Sequence, residues 1–209
     1  MLTRSSIGVL LRLTGILMAI AMFAGHVCAQ QQLPPSRGAP QLGQKAPEFT
    51  LPDTSGKPMS LSDLLAAPVA PGAHSPWLLL IFYRGFWCGY CNAEFRSLQK
   101  SLPELSARGV RVAAISVDSP EDSRNWSSKQ GFTFTLLSDQ QLNVIRAYDL
   151  VHLGGGFDGP DIARPAEFLL DREGIVRWRY LTDSYKVRAT PAMILNALDE
   201  IDSSPSKHR

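Results

Sequence analysis

Seven consecutive apolar residues, Trp77-Leu78-Leu79-Leu80-Ile81-Phe82-Tyr83, run into Arg84-Gly85 and then into a stretch with helical spacing. An apolar run of that length, with no polar alternation, predicts a strand buried on both faces, which requires a sheet covered on each side. From Asn92 the apolar residues Phe95, Leu98, Leu102 and Leu105 recur along one helical face, with Pro103 predicting a kink or break and Gly109 the end. The chain must therefore build a strand-turn-helix unit. The turn of that unit carries Cys88-Gly89-Tyr90-Cys91.

The flanking sequence extends the same pattern. Gly43 to Leu65 reads as a hairpin around Asp53-Thr54-Ser55-Gly56 followed by a helical turn, and Ala66 to Pro76 as a Pro/Ala/Gly loop. Val110 to Val117 is a second strand, and Ser119-Pro120-Glu121 supplies the N-cap, N1 proline and early acid of a helix reaching about Gln130. Thr133 to Leu137 is a third strand, after which Ser138-Asp139 caps a helix through about Tyr148. Glu167 to Leu170 and Ile175 to Leu181 form a closing hairpin around Asp171-Arg172-Glu173-Gly174, and Thr190-Pro191 opens a last helix. The order β-α-β-α-β-α-β-β-α gives an α/β class: a central mixed sheet flanked by helices, with an N-terminal hairpin extension.

Composition sets the compartment more than the partner. With 209 residues, 44% apolar and 19% charged, the chain fits one globular domain rather than a disordered one. Its 21 basic residues are scattered among 19 acidic ones, so no basic stripe for nucleic acid exists. Residues 1–29 contain no acid; Arg4 and Arg12 precede the apolar Ile16 to Ala24, and Val27-Cys28-Ala29 offers small residues for cleavage. This outlines a signal peptide. Two alternatives are a retained membrane anchor, which Arg12 interrupts, and a lipoprotein acylated at Cys28. Cleavage after Ala29 leaves 180 residues, a neutral balance of 19 against 19, and a single cysteine pair. The expected organisation is a signal peptide at 1–29, a Gln/Pro-rich flexible linker at 30–41, a domain at 42–203 and a tail at 204–209. Export to the periplasm follows, with membrane contact only through the uncleaved signal segment.

Cys88 and Cys91 sit where a buried strand ends and a helix begins. A helix N-terminus carries about half a positive charge and stabilises a thiolate. In such a setting a thiol can fall from about 8.5 to between about 3.5 and 7.5. The spacing lets both sulfurs meet across the first helical turn, so one can attack a substrate while the other resolves the product. Three alternatives compete. A structural disulfide over so short a loop restricts little chain entropy. A zinc site needs about four ligands, and His74, His152 and His208 do not pair with the motif by spacing. Two inert thiols are the third.

Trp87-Cys88-Gly89-Tyr90-Cys91 resembles the active-site motif of thioredoxins, with Tyr90 in place of proline. The wider chain, about residues 42–200, resembles the peroxiredoxin-like (AhpC/TSA, redoxin) family of the thioredoxin-like superfamily. The residues that carry this are Gly43 to Leu51, Phe82-Tyr83-Arg84-Gly85-Phe86-Trp87-Cys88, Ala114 to Ser119, Leu136 to Asp139 and Phe168 to Gly174. One departure matters: the peroxiredoxin proline and Thr/Ser, seven and three residues before the peroxidatic cysteine, are absent before either cysteine. Peroxiredoxin superposition makes Cys91 the peroxidatic counterpart, supported by Glu94 three residues on. Thioredoxin chemistry makes Cys88 the nucleophile and Cys91 the resolving thiol, and Cys88 is read as the nucleophile.

The resemblance implies a thioredoxin-like fold and a redox enzyme without a cofactor or metal. Its substrate is a hydroperoxide or, alternatively, a protein disulfide, with a thiol-disulfide electron donor and no nucleic acid. A non-catalytic binding module with a structural disulfide is the third possibility. Pro165 resembles the cis-proline that faces the cysteines in thioredoxin-like proteins, which would free the backbone of Arg164 for substrate; Pro191 is the rival, read as an N1 proline. Arg84 and Arg164 are candidates to stabilise the thiolate or polarise a peroxide, as the peroxiredoxin arginine does, with a solvated surface role the alternative. Trp87 is a candidate shield for the disulfide or a packing residue. His152 and the following glycines read as a turn or a mobile loop near the site.

Overall fold

In a computed structural model, residues 32–66 and 77–203 are described, and the chain from Pro34 onward forms one compact unit. The signal peptide, nearly all of the 66–76 loop and the 204–209 tail lie outside the described residues.

The central sheet has five strands in the spatial order Thr135–Ser138, Val110–Ser116, Trp77–Phe82, Ala166–Leu170, Val176–Leu181. Strand β3 (Trp77–Phe82) is the buried run, and it pairs in parallel with β4 (Val110–Ser116), which pairs in parallel with β5 (Thr135–Ser138). On its other side β3 runs antiparallel to β8 (Ala166–Leu170), and β8 to β9 (Val176–Leu181). The hairpin β1 (Thr50–Pro52) and β2 (Pro58–Ser60) precedes helix α1 (Leu61–Ala66), and β6 (Val151–His152) pairs with β7 (Ile162–Ala163) in a separate ladder. This is the mixed, helix-covered sheet with an N-terminal hairpin that the element order implies.

Alternation along β3 divides the core. Leu78, Leu80 and Phe82 join Leu61, Leu64, Ile145 and Tyr148 on one face. Leu79, Ile81 and Tyr83 join Phe95, Leu98, Trp126, Ile194 and Leu198 on the other, and both cysteines belong to this second face. All six residues of β3 are buried because each face has its own covering layer.

Two helices differ from expectation. Helix α2 (Gly89–Ala107) starts at the cysteine motif and continues through Pro103. Pro103 is exposed, so the carbonyl that its missing N–H leaves free can bond to water instead of forcing a break. Helix α3 (Pro120–Gln130) has the expected Ser119 cap, accepting from Asp122 N–H, and ends on Gly131 at φ 73°. Helix α4 is only Asn143–Ala147, because Leu142 adopts φ 57° and the Asp139 carboxylate reaches forward to the N–H groups of Asn143 and Ile145. Helix α5 is Pro191–Ser203.

Part of the expected linker is held by the domain. Gly38 N–H donates to Asp149 at 2.7 Å, and the Arg179 guanidinium donates to Pro40 O at 3.1 Å. Contact with the domain therefore begins before residue 42.

Candidate active site

Beyond Phe82 the chain turns sharply through Gly85, at φ 149°. A Cβ there would meet Trp87 Nε1 at 2.6 Å and Asp118 Oδ1 at 3.0 Å, so this turn needs glycine. Asp118, at the C-terminal end of β4, accepts from Phe86 N–H at 2.9 Å and from the Ser116 hydroxyl at 2.9 Å. Asn92 donates to Phe86 O and Cys88 O, and accepts from Trp126 Nε1–H at 2.9 Å. The loop carrying Cys88 is thus pinned from β4, α2 and α3 together. Burial raises the Asp118 carboxyl to about 6.

Cys88 is the N-cap of α2, with φ −77° and ψ 113°, and Cys91 lies in the first turn. Both are free thiols and both are buried, at 3% and 0% exposure. The Cys91 thiol donates to Cys88, and with smaller help from Arg188 and Arg84 this holds the Cys88 thiol down to about 5 against the opposing effect of burial. Burial and that same donated hydrogen bond push Cys91 well above an ordinary thiol, although Arg188 pulls the other way. The pair therefore divides into one thiolate and one thiol at neutral pH.

Beneath the sulfurs lies a charged floor. Arg188 Nη2 is 3.3 Å from Cys91 Sγ, and its Nε is 2.8 Å from Glu94 Oε2, with side chains only 8% and 2% exposed. Arg188 also donates to Tyr185 O at 2.6 Å, and the next N–H, of Ala189, donates to Glu167 Oε1 at 3.0 Å. Burial raises Glu94 well above the carboxylate range and Glu167 to about 7. Neither Arg188 nor Glu167 is evident from the motif. One signal for Arg188 exists: a cation just before a helix N-terminus opposes the helix dipole, so it needs a partner elsewhere.

The residues expected from sequence separate into three groups. Cys88, Cys91 and Arg84 come together: the Arg84 guanidinium lies 4.2 Å from the Tyr185 ring centroid and 5.1 Å from that of Trp87, and donates to Gly155 O at 2.7 Å. Trp87, 39% exposed, stacks with Arg84 at the rim. His152 and the glycine loop reach the site through this Arg84–Gly155 bond, with Leu153 and Phe157 exposed. Arg164 corrects the expectation, because its guanidinium is committed to Pro34 O, to Ser36 Oγ at 2.8 Å and to Thr182 O, tying the N-terminal strap to the end of β9. Pro165 corrects it too: no peptide bond among the described residues is cis. The trans bond carries β7 directly into β8 while Arg164 N–H donates to Leu150 O.

Strand parity explains the split. Ala166, Phe168 and Leu170 face the first core layer, whereas Leu169 faces the layer holding the cysteines. Glu167 shares the parity of Leu169 and enters the floor; Arg164 shares that of Ala166 and is directed elsewhere. Among the described residues, no group of three or more His, Cys, Asp or Glu could hold a metal ion.

The sequence matches the family model described as AhpC/TSA family over residues 42–179. It is 32% identical over 149 residues to alkyl hydroperoxide reductase E of Mycobacterium tuberculosis, covering 70% of this chain and 89% of that protein. It is 29% identical over 162 residues to peroxiredoxin Bcp of Escherichia coli, covering 76% and 95%. Among solved structures, peroxidoxin BcpB from Mycobacterium tuberculosis superposes with a TM-score of 0.63 at 22% identity, covering 80% of this chain and 99% of that one. This last likeness is one of fold.

Proposed function

The chain belongs to the AhpC/TSA family, and on that premise we propose that it is a thiol peroxidase that reduces hydroperoxides with Cys88 and Cys91. Membership makes it an oxidoreductase with a thioredoxin-like fold. The observation that carries the finer reading is the Cys88 thiol, held down to about 5 by the hydrogen bond from Cys91. The Cys88 thiolate attacks the terminal peroxide oxygen, the O–O bond breaks giving a sulfenic acid, and the alkoxide leaves as the alcohol by taking a proton from solvent. Cys91 then attacks that sulfur and water leaves, closing the disulfide. A thiol reductant restores the dithiol.

Stopped-flow mixing of the reduced protein with hydrogen peroxide tests this. The expected rate far exceeds that of free cysteine, disappears in Cys88→Ser, and in Cys91→Ser gives one turnover ending in a sulfenic acid. A rate no faster than free cysteine overturns the peroxidase and leaves exchange with protein disulfides. The 3.3 Å contact between Arg188 and Cys91 favours a second reading, with Cys91 as the attacking thiol. Dimedone trapping followed by peptide mapping separates them: label on Cys88 supports the first, label on Cys91 the second. We further propose that the protein acts after export, from its N-terminal sequence alone; a mature N-terminus at Gln30 is the expected result, and retention of residues 1–29 would contradict it.

A further inference from the structure

One contact in the floor has no part in the attack on a peroxide. Arg188 Nη2 donates to Cys91 Sγ at 3.3 Å, although Cys88 is the thiolate of the pair. The guanidinium is fixed there by its other nitrogens: Nη1 donates to Tyr185 O at 2.6 Å and to Val187 O at 2.9 Å, and Nε lies 2.8 Å from Glu94 Oε2. Its side chain is 8% exposed, so water screens it little and it acts strongly on a charge beside it. A neutral thiol gains little from such a cation, and a thiolate gains much. Cys91 carries that charge whenever a disulfide with Cys88 is opened by attack on Cys88. The two sulfurs are also unequally open to an incoming thiol. Cys88 caps α2 with 3% exposure, between the exposed Trp87 and Tyr90, whereas Cys91 lies in the first turn at 0%.

We infer that Arg188 is the leaving-group residue of the regeneration step: it receives the charge that develops on Cys91 Sγ when the thiolate of an electron donor attacks Cys88 Sγ, and it thereby directs that donor to Cys88. The inference rests on the Cys88–Cys91 disulfide of the proposed cycle, not on the peroxide that forms it. The donor sulfur bonds to Cys88 Sγ, the Cys88–Cys91 bond breaks, and its electron pair passes to Cys91 Sγ against the guanidinium. A second donor thiol then attacks the donor sulfur of the mixed disulfide and releases the Cys88 thiolate. Two donor thiols become one disulfide; one of their protons ends on Cys91 and the other in solvent. The order of the thiols in the dithiol does not set this direction. There Cys91 is kept protonated by burial, by the hydrogen bond that it donates to Cys88 and by the charge of Cys88. In the mixed disulfide Cys88 carries no charge, so the last two influences end while the contact with Arg188 remains. Attack on Cys91 would instead expel Cys88 without the hydrogen bond that lowers it.

The test oxidises the full-length protein with diamide, removes the excess, and reduces it with glutathione at neutral pH, with acid quenching, N-ethylmaleimide blocking and peptide mapping of the mixed disulfide. The wild-type protein is expected to carry glutathione on Cys88, and glutathione on Cys91 overturns the inference. Reduction by dithiothreitol is expected to be about tenfold slower in Arg188→Met, with Arg188→Lys between the two. A merely structural loss would loosen the floor, open the sulfurs to the reductant and speed the reaction, so a rate equal to or above that of the wild type overturns the inference. Should Arg188→Met not fold, Arg188→Lys decides. Its ammonium lacks the fork that faces Glu94 and Cys91 together, so slower reduction supports the leaving-group role and an unchanged rate overturns it. Because the disulfide is made without peroxide, the result does not depend on the peroxidase rate. Failure of diamide to close the disulfide overturns the dithiol cycle and this inference together, whereas a disulfide that closes and is reduced equally fast in all three proteins overturns the role of the arginine alone.

Discussion

Two arginines act on one dithiol, and their surroundings make them unequal. At the rim, Arg84 is shared among the rings of Trp87 and Tyr185 and the carbonyl of Gly155, within reach of water. In the floor, Arg188 is 8% exposed and faces a 2% exposed carboxyl group and a fully buried sulfur. Coulombic interaction grows as water is excluded, so a buried cation weighs more than a partly exposed one. Both arginines lower the Cys88 thiol, and Arg188 contributes more. Among the cations, the buried one weighs more than the partly exposed one.

The largest effect is expected at Arg188. Replacing Arg188→Met leaves Glu94 and Glu167 without their cation, and loss of one partner from a buried ionic cluster costs about 3–5 kcal/mol. Denaturant unfolding at neutral pH should show that loss, and the loss should shrink in acid as the carboxyl groups protonate. An effect under about 1 kcal/mol would mean that the floor is not dry.

The support of the loop carrying Cys88 is Asp118, and Asp118→Ala should have the next largest effect. It leaves Phe86 N–H and the Ser116 hydroxyl without their acceptor, at about 1–3 kcal/mol. The sign of its pH dependence is fixed: burial raises the folded-state carboxyl to about 6, so its contribution is full below its ordinary value of 3.8 and is lost as pH rises through about 6. Unfolding free energies measured between those limits should fall with pH in the wild type and flatten in the variant. An unchanged slope would remove Asp118 as its source.

Arg84→Gln should change least. A partly exposed cation contributes about 0–1 kcal/mol, so the Cys88 alkylation midpoint should rise by well under one pH unit and stability should barely move. If Arg84→Gln shifted the midpoint as far as Arg188→Met, the difference between rim and floor would be lost.

Much of this arrangement is written locally in the chain. The Trp77–Tyr83 run, the Phe95-Leu98-Leu105 spacing and the Ser119-Pro120 cap each specify an element from neighbouring residues, and each stands close to where the pattern places it. Cys88, Cys91 and Arg84 are legible for the same reason, lying within one strand-turn-helix unit. Arg188 is not, since 97 positions separate it from Cys91. Glu167 begins an apolar strand and reads as its polar edge, while only the pairing of β8 with β3 turns it toward the sulfurs. Arg164, three residues before it, has the right residue type but the opposite strand parity, and it anchors the strap. Residue type is visible in a sequence; the direction of a side chain depends on tertiary pairing.

Brief iodoacetamide pulses on the reduced protein across a range of pH, followed by peptide mapping of both cysteines, test the asymmetry most directly. Cys88 should be labelled with a midpoint of about 5 while Cys91 stays unlabelled through neutral pH. Labelling of Cys88 only near the ordinary thiol value of about 8.5, or of Cys91 first, would contradict it.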